Sequence, residues 1–194
     1  MKGEELPVSS LSSCDPIITI DDLGISKTVD GTTLNGSDAA NPCGLVAKSF
    51  FNDSYSLYNG STSASNRLAI NENNIAWESD VEYKFKNNEN WQSTQWIDVT
   101  NEHFIVWMRT AGLPNFRKLW GRIEGDLKAG TYSLTIDNIY DVSDYDGSKM
   151  FVISTTNALG GKNFFLAVCY LVVGSLCIVF AIIFLGAYLR KRRS

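Results

Sequence analysis

Residues 164–189 read FFLAVCYLVVGSLCIVFAIIFLGAYL, a run of 26 residues without Asp, Glu, Lys, Arg or His. Wound as a helix rising about 1.5 Å per residue, it is about 39 Å long, enough to cross a bilayer with some tilt. Arg190, Lys191, Arg192 and Arg193 follow at once, four of the 17 basic residues in the 194-residue chain. All 21 acidic residues precede the run, so residues 1–163, with 13 basic side chains, carry a net −8 against +4 for the tail. Cations flanking a membrane helix are retained on the cytosolic side. The tail is therefore expected in the cytosol and the acidic part in the lumen or outside the cell. A segment of net −8 is no candidate for nucleic acid.

Two further features agree with that address. Sequons for N-glycosylation occur at Asn35-Gly36-Ser37, Asn52-Asp53-Ser54 and Asn59-Gly60-Ser61, which are read as acceptors in a secreted setting. Of four cysteines, Cys169 and Cys177 lie in the apolar run, leaving Cys14 and Cys43 outside it. In an oxidising compartment these two are expected to bridge, contributing about 3 to 4 kcal/mol by closing a loop of about 30 residues. The alternative is a pair of unlinked buried thiols. Residues Met1 to Pro7 hold no apolar signal-peptide core, so the chain is expected to follow an upstream part that carries a first targeting helix. The alternative is a reversed topology, with the amino-terminal part cytosolic.

Residues 1–41 are rich in Ser, Asp, Gly and Thr, with turn signals at Asp30-Gly31 and Asn35-Gly36 and one short β-branched run, Ile17 to Ile20. They read as a loop-rich entry. Residues 42–163 read as an antiparallel, mainly β, sandwich-like ectodomain with long loops, 164–189 as one transmembrane helix and 190–194 as a basic tail. The β-like runs are Phe104 to Met108, Thr131 to Val142 and Phe151 to Thr156. In the middle one Tyr132, Leu134 and Ile136 alternate with Ser133, Thr135 and Asp137, the period of a half-buried strand. Asn59 to Asn74 reads as a surface excursion, and Phe116 to Trp120 fits either a helical turn or a bent strand.

Each chemically suggestive residue has a plain structural reading. Gly160-Gly161-Lys162 lacks the spacing and the Ser or Thr of a nucleotide loop; the glycines are expected to turn the chain toward the membrane, with Lys162 at head-group level. His103, the only histidine, has no second histidine for a metal site or a triad. Asp144 and Asp146 could serve a glycosidase, but their Ser, Asp, Gly surroundings read as a solvated turn. The five tryptophans, Trp77, Trp91, Trp96, Trp107 and Trp120, read as core and interface anchors. Arg109, Arg117 and Lys118 flank Leu113-Pro114 and could meet a partner or form internal ion pairs. Ala167, Gly174 and Ala181 recur every seven residues with Cys177 near the same face, a pattern that lets a partner helix approach closely in lipid. The chain lacks the Asp-Lys-Thr-Gly-Thr phosphorylation motif of P-type pumps, and no catalytic residue, metal or cofactor is expected.

Four blocks together resemble the cell-division-cycle protein 50 or transmembrane protein 30 family, also called ligand-effect modulators. They are Pro42-Cys43-Gly44-Leu45 through Asn52-Asp53, Ile75-Ala76-Trp77, His103-Phe104-Ile105-Val106-Trp107-Met108-Arg109-Thr110-Ala111-Gly112-Leu113-Pro114 through Leu119, and Phe151 through Asn163 into Val172 to Leu176. The resemblance spans about residues 42 to 190 and implies a non-catalytic accessory β-subunit of type IV P-type ATPases. Such a subunit supports the pump's exit from the endoplasmic reticulum and its movement of aminophospholipids to the cytosolic leaflet. The family's ectodomain is a disulfide-bonded, glycosylated β-sandwich over the pump's lumenal loops, and its membrane helices pack against the pump. By this match Cys43 is half of a family disulfide with Cys14 its partner, and Asn52 is a family glycosylation site. The expected partners are the catalytic ATPase subunit and membrane lipids, in the endoplasmic reticulum, Golgi, endosome or plasma membrane. The rival readings are a membrane-tethered hydrolase using Asp144 or Asp146 and a glycosylated adhesion or receptor ectodomain.

Overall fold

The computed structural model describes residues 7–157, 160–161 and 164–193. The chain divides into two compact units, Met1–Asp141 and Val142–Ser194.

The first unit begins with a small core of its own. Thr19 caps the short helix α1, Ile20–Leu23, through a capping box: the Asp22 amide donates to Thr19 Oγ1 at 3.3 Å and the Thr19 amide to Asp22 Oδ2 at 2.9 Å. Gly24 ends the helix at φ 75°, the left-handed conformation that glycine adopts without a Cβ clash. Ile17, Ile20, Leu23 and Ala40 are buried together, with Cys43 and Trp96 packed against them. Cys14 and Cys43 are joined by a disulfide, their Cα atoms 5.6 Å apart, and Trp96 Nε1 donates to the Pro42 carbonyl at 2.8 Å. The β-branched run at Ile17 to Ile20 makes only a single bridge, Thr19 with Ala39, before the chain turns helical.

Helix α2, Leu45–Lys48, leads into strand β1, Ser54–Asn59, which pairs antiparallel with the two-residue β2, Arg67–Leu68, and with β3, Tyr132–Asp137. The sheet order is β2-β1-β3, with Leu57 opposite both Leu68 and Leu134. Asp53, buried just before β1, accepts the amides of Ile139 at 2.8 Å and Tyr140 at 2.6 Å. Its carboxylate thus holds the chain leaving β3 against the chain entering β1.

Between β2 and β3 come α3, Glu78–Tyr83, α4, Trp91–Thr94, and α5, Glu102–Met108. The last corrects the expected β run at Phe104 to Met108. Asn101 Oδ1 caps the helix by accepting the His103 amide at 2.9 Å, and Glu102 places a carboxylate in the first turn, where the helix dipole favours it. Phe104, fully enclosed, packs with Ala47, Val99, Phe50 and Phe85 in a second core that also touches Trp96. Five consecutive apolar residues fit a buried helix as readily as a strand; here the cap and the burial decide for the helix. Gln95, also enclosed, accepts from the Asn88 amide and donates to Asn87 Oδ1 and the Ile97 carbonyl.

In the second unit Asp144 and Asp146 sit in an exposed turn, with Asp146 at φ 51°. The strands β4, Thr156–Asn157, and β5, Gly160–Gly161, pair antiparallel. The glycine pair is therefore half of a short ladder, while Leu159, Lys162 and Asn163 lie outside the described residues. Helix α6, Phe164–Arg193, includes the whole apolar run and continues through the four basic positions. The expected antiparallel sheet and C-terminal apolar helix are both present. Among the described residues, the rest of the first unit is a mixture of short helices, tight turns and loops around one three-stranded sheet, less uniformly β than the sequence suggests.

The Asp53 clamp makes a direct prediction. Asp53→Ala leaves the sequon intact but strips two amides of a charged acceptor, and should lower the unfolding free energy by about 2 to 3 kcal/mol. Denaturant unfolding of the purified chain beside the Asp53→Ala form checks it.

Candidate partner-binding surface

Helix α5 ends with carbonyls that no further turn of helix can satisfy. Lys118 meets them from nine or more residues downstream, its ammonium donating to the carbonyls of Val106 at 2.9 Å, Trp107 at 3.2 Å and Arg109. A cation at a helix C-terminus also complements the helix dipole. Burial, and secondarily the nearby charge of Arg109, push the Lys118 ammonium below its ordinary value. The site therefore holds this charge at a desolvation cost, offset by the three carbonyls.

Arg109 is held by a second anchor. Its Nε donates to Asp80 Oδ2 at 2.7 Å, while Lys84 Nζ meets Asp80 Oδ1 at 2.5 Å. The Asp80 side chain is 2% exposed. Hydrogen bonds from Arg109 first and Lys84 second pull its carboxyl down to about 2. The guanidinium also lies 4.8 Å from the ring centre of Trp77, a cation–π contact that leaves the indole 64% exposed.

The chain between these anchors is thrown outward. Leu113 is 73% exposed and Phe116 53%, with Leu119 also open. One recess of about 230 Å³ is lined by Val46, Trp107, Leu113, Phe116 and Lys118; another of about 340 Å³ by Ile75, Trp77, Arg109, Arg117 and Leu119. Trp107 floors the first, stacked on Phe51 at 5.8 Å and donating to the Val46 carbonyl at 3.2 Å. An apolar projection beside aromatic and arginine side chains, held rigidly at both ends, suits docking to another protein.

The other singled-out residues fall elsewhere. Asn35, Asn52 and Asn59 are all exposed. His103 Nε2 lies 2.9 Å from Glu72 Oε2, and its ring packs on Trp120 at 5.1 Å, so it fastens the 70–76 loop to α5. Trp91 begins α4 and Trp120 packs edge-on to Tyr55. Ala167, Gly174, Cys177 and Ala181 all lie on α6 with exposed side chains or backbone, and a Cβ added at Gly174 would meet nothing within 4 Å. Of the three basic residues left open by the sequence, Arg109 and Lys118 have internal partners, whereas Arg117 is exposed. Asp80 escaped the sequence reading, although its spacing of four from Lys84 is the pattern of a helical ion pair.

Because the Asp80 carboxyl is depressed from an ordinary 3.8 to about 2, its stabilisation is complete above about pH 4 and is lost as pH falls toward 2. Asp80→Asn should flatten the acid slope of the melting temperature across that window, measured by thermal unfolding at stepped pH.

A family model described as the LEM3 (ligand-effect modulator 3) family / CDC50 family matches residues 1–194. Among curated relatives, ALA-interacting subunit 3 of Arabidopsis thaliana is 44% identical over 166 residues, covering 78% of this chain and 46% of that protein. Cell cycle control protein 50B of Homo sapiens is 35% identical, covering 77% of this chain and 52% of that protein, and Cell cycle control protein 50A of Bos taurus is 34% identical, covering 89% and 56%. The chain thus spans about half the length of these relatives. A match over its whole length, with such identities, places this chain in the LEM3/CDC50 family.

Proposed function

We propose that this chain serves as a non-catalytic accessory subunit of a type IV P-type ATPase that flips phospholipids, supporting the pump's exit from the endoplasmic reticulum and its transport of aminophospholipids. The observation that carries this reading is the whole-length family match, with relatives named as ALA-interacting subunits. The surface around Leu113 and Phe116 docks on the pump's lumenal loops. Helix α6, exposed along its entire apolar length, packs its Ala167, Gly174, Cys177 and Ala181 face against a pump helix. The ectodomain is lumenal or extracellular, bears glycans at Asn35, Asn52 and Asn59, and keeps the Cys14–Cys43 link there; the basic tail is cytosolic.

Co-expression with type IV P-type ATPases, followed by purification in mild detergent, tests the proposal. The chain, alone or extended upstream by a first membrane helix, should capture a pump; failure of both forms to capture any overturns it. Leu113→Asp with Phe116→Asp should cut capture about tenfold or more, as expected for central interface anchors, while leaving the melting temperature unchanged because both side chains are exposed. Gly174→Leu should weaken capture independently; unchanged recovery would remove α6 packing from the account.

A further inference from the structure

Helix α6 does not stop where its apolar run stops. It continues through Arg190, Lys191, Arg192 and Arg193, so their backbone positions follow one another at about 100° around the axis. They encircle the helix instead of lining one face. The chain has no acidic residue after Asp146, so α6 offers these cations no counter-charge of its own. Depth is set by two separate features. The apolar run is about 39 Å long against about 30 Å of hydrocarbon, which brings the basic positions to the head-group layer. Tyr188, exposed two residues earlier, is the kind of amphipathic ring that settles at that same boundary.

We propose that residues 190–193 form a collar that gathers anionic glycerophospholipids around the end of α6, phosphatidylserine and, more strongly, phosphoinositides. Arginine supplies paired N–H donors that match a phosphate or carboxylate edge, and lysine adds a point charge. Clustered basic residues beside a membrane helix attract anionic lipid by charge that adds from residue to residue. The circular placement makes the bound species an annulus of several lipids, without a fixed one-to-one site. The collar needs no pump, so it stands or falls apart from the partner assignment.

The test reconstitutes the full chain in vesicles containing trace spin-labelled phosphatidylcholine, phosphatidylserine or phosphatidylinositol 4-phosphate. Electron spin resonance reads the fraction of each label restricted by the protein. Both leaflets share one composition, so the orientation of insertion does not affect the result. Phosphatidylserine should be enriched several-fold over phosphatidylcholine and the phosphoinositide more, with both enrichments collapsing in about 1 M salt, where screening acts over about 3 Å. Lys191→Gln with Arg192→Gln, which keeps two flanking cations for insertion, should remove roughly half of the logarithm of the enrichment, in keeping with additive attraction. Replacing all four by Gln should abolish it, with circular dichroism confirming an unchanged helix. Equal restriction of anionic and zwitterionic lipids by the native chain would overturn the proposal. Enrichment that persists without the four cations would equally overturn it by moving the lipid contact elsewhere.

Discussion

Three backbone carbonyls at the end of α5 set the terms for the surface that follows. A polar group withdrawn from water must find a partner, and the donor used here is the side chain of Lys118. That choice forces residues 110–117 to loop out and return, and so exposes Leu113 and Phe116. Arg109, the residue that follows α5, meets Asp80 and so links the end of α5 to α3. Projection, recesses and ion pair thus all adjoin one helix terminus.

How much of this could be read in advance depended on whether the governing interaction was local. The apolar run and its basic end stand out in the sequence because membrane length and charge bias act on consecutive residues. Strand β3 lay within an expected β run, since its alternation is local too. Strand β1 is hard to read in the sequence: only Leu57 of its six residues is buried, and β3, the longer of its two partners, comes far later in the chain. Phe104 to Met108 resembles a strand because β-branched and aromatic residues suit one, whereas the Asn101 cap and the packing of Phe104 against Phe50 and Phe85 favour a helix. Propensity yields to such tertiary context. The roles of Arg109 and Lys118 stayed open because their partners are fixed only by folding.

Tryptophan does varied work in this chain. Trp96 touches both small cores of the first unit and donates into the Pro42 carbonyl, so it joins the disulfide-linked entry to the layer beneath α5. Trp107 supports the recess that it floors, while Trp77 faces solvent under a guanidinium. A small domain with scattered helices has little continuous hydrogen-bonded framework. Large rings with a polar edge supply the long-range ties instead.

The pairing of β1 with β3 has a temporal side. Ser54 and Asp137, which close one end of that ladder through a 2.6 Å hydrogen bond, are 83 residues apart in sequence. At a synthesis rate of about 5–20 residues per second, β1 leaves the ribosome roughly 4 to 17 s before its partner exists. Throughout that interval the Asn52-Asp53-Ser54 tripeptide is carried on a segment that has not yet been clamped. Only afterwards can Asp53 close on the amides of Ile139 and Tyr140. The chain order thus leaves this tripeptide free of its clamp first and fixes it second.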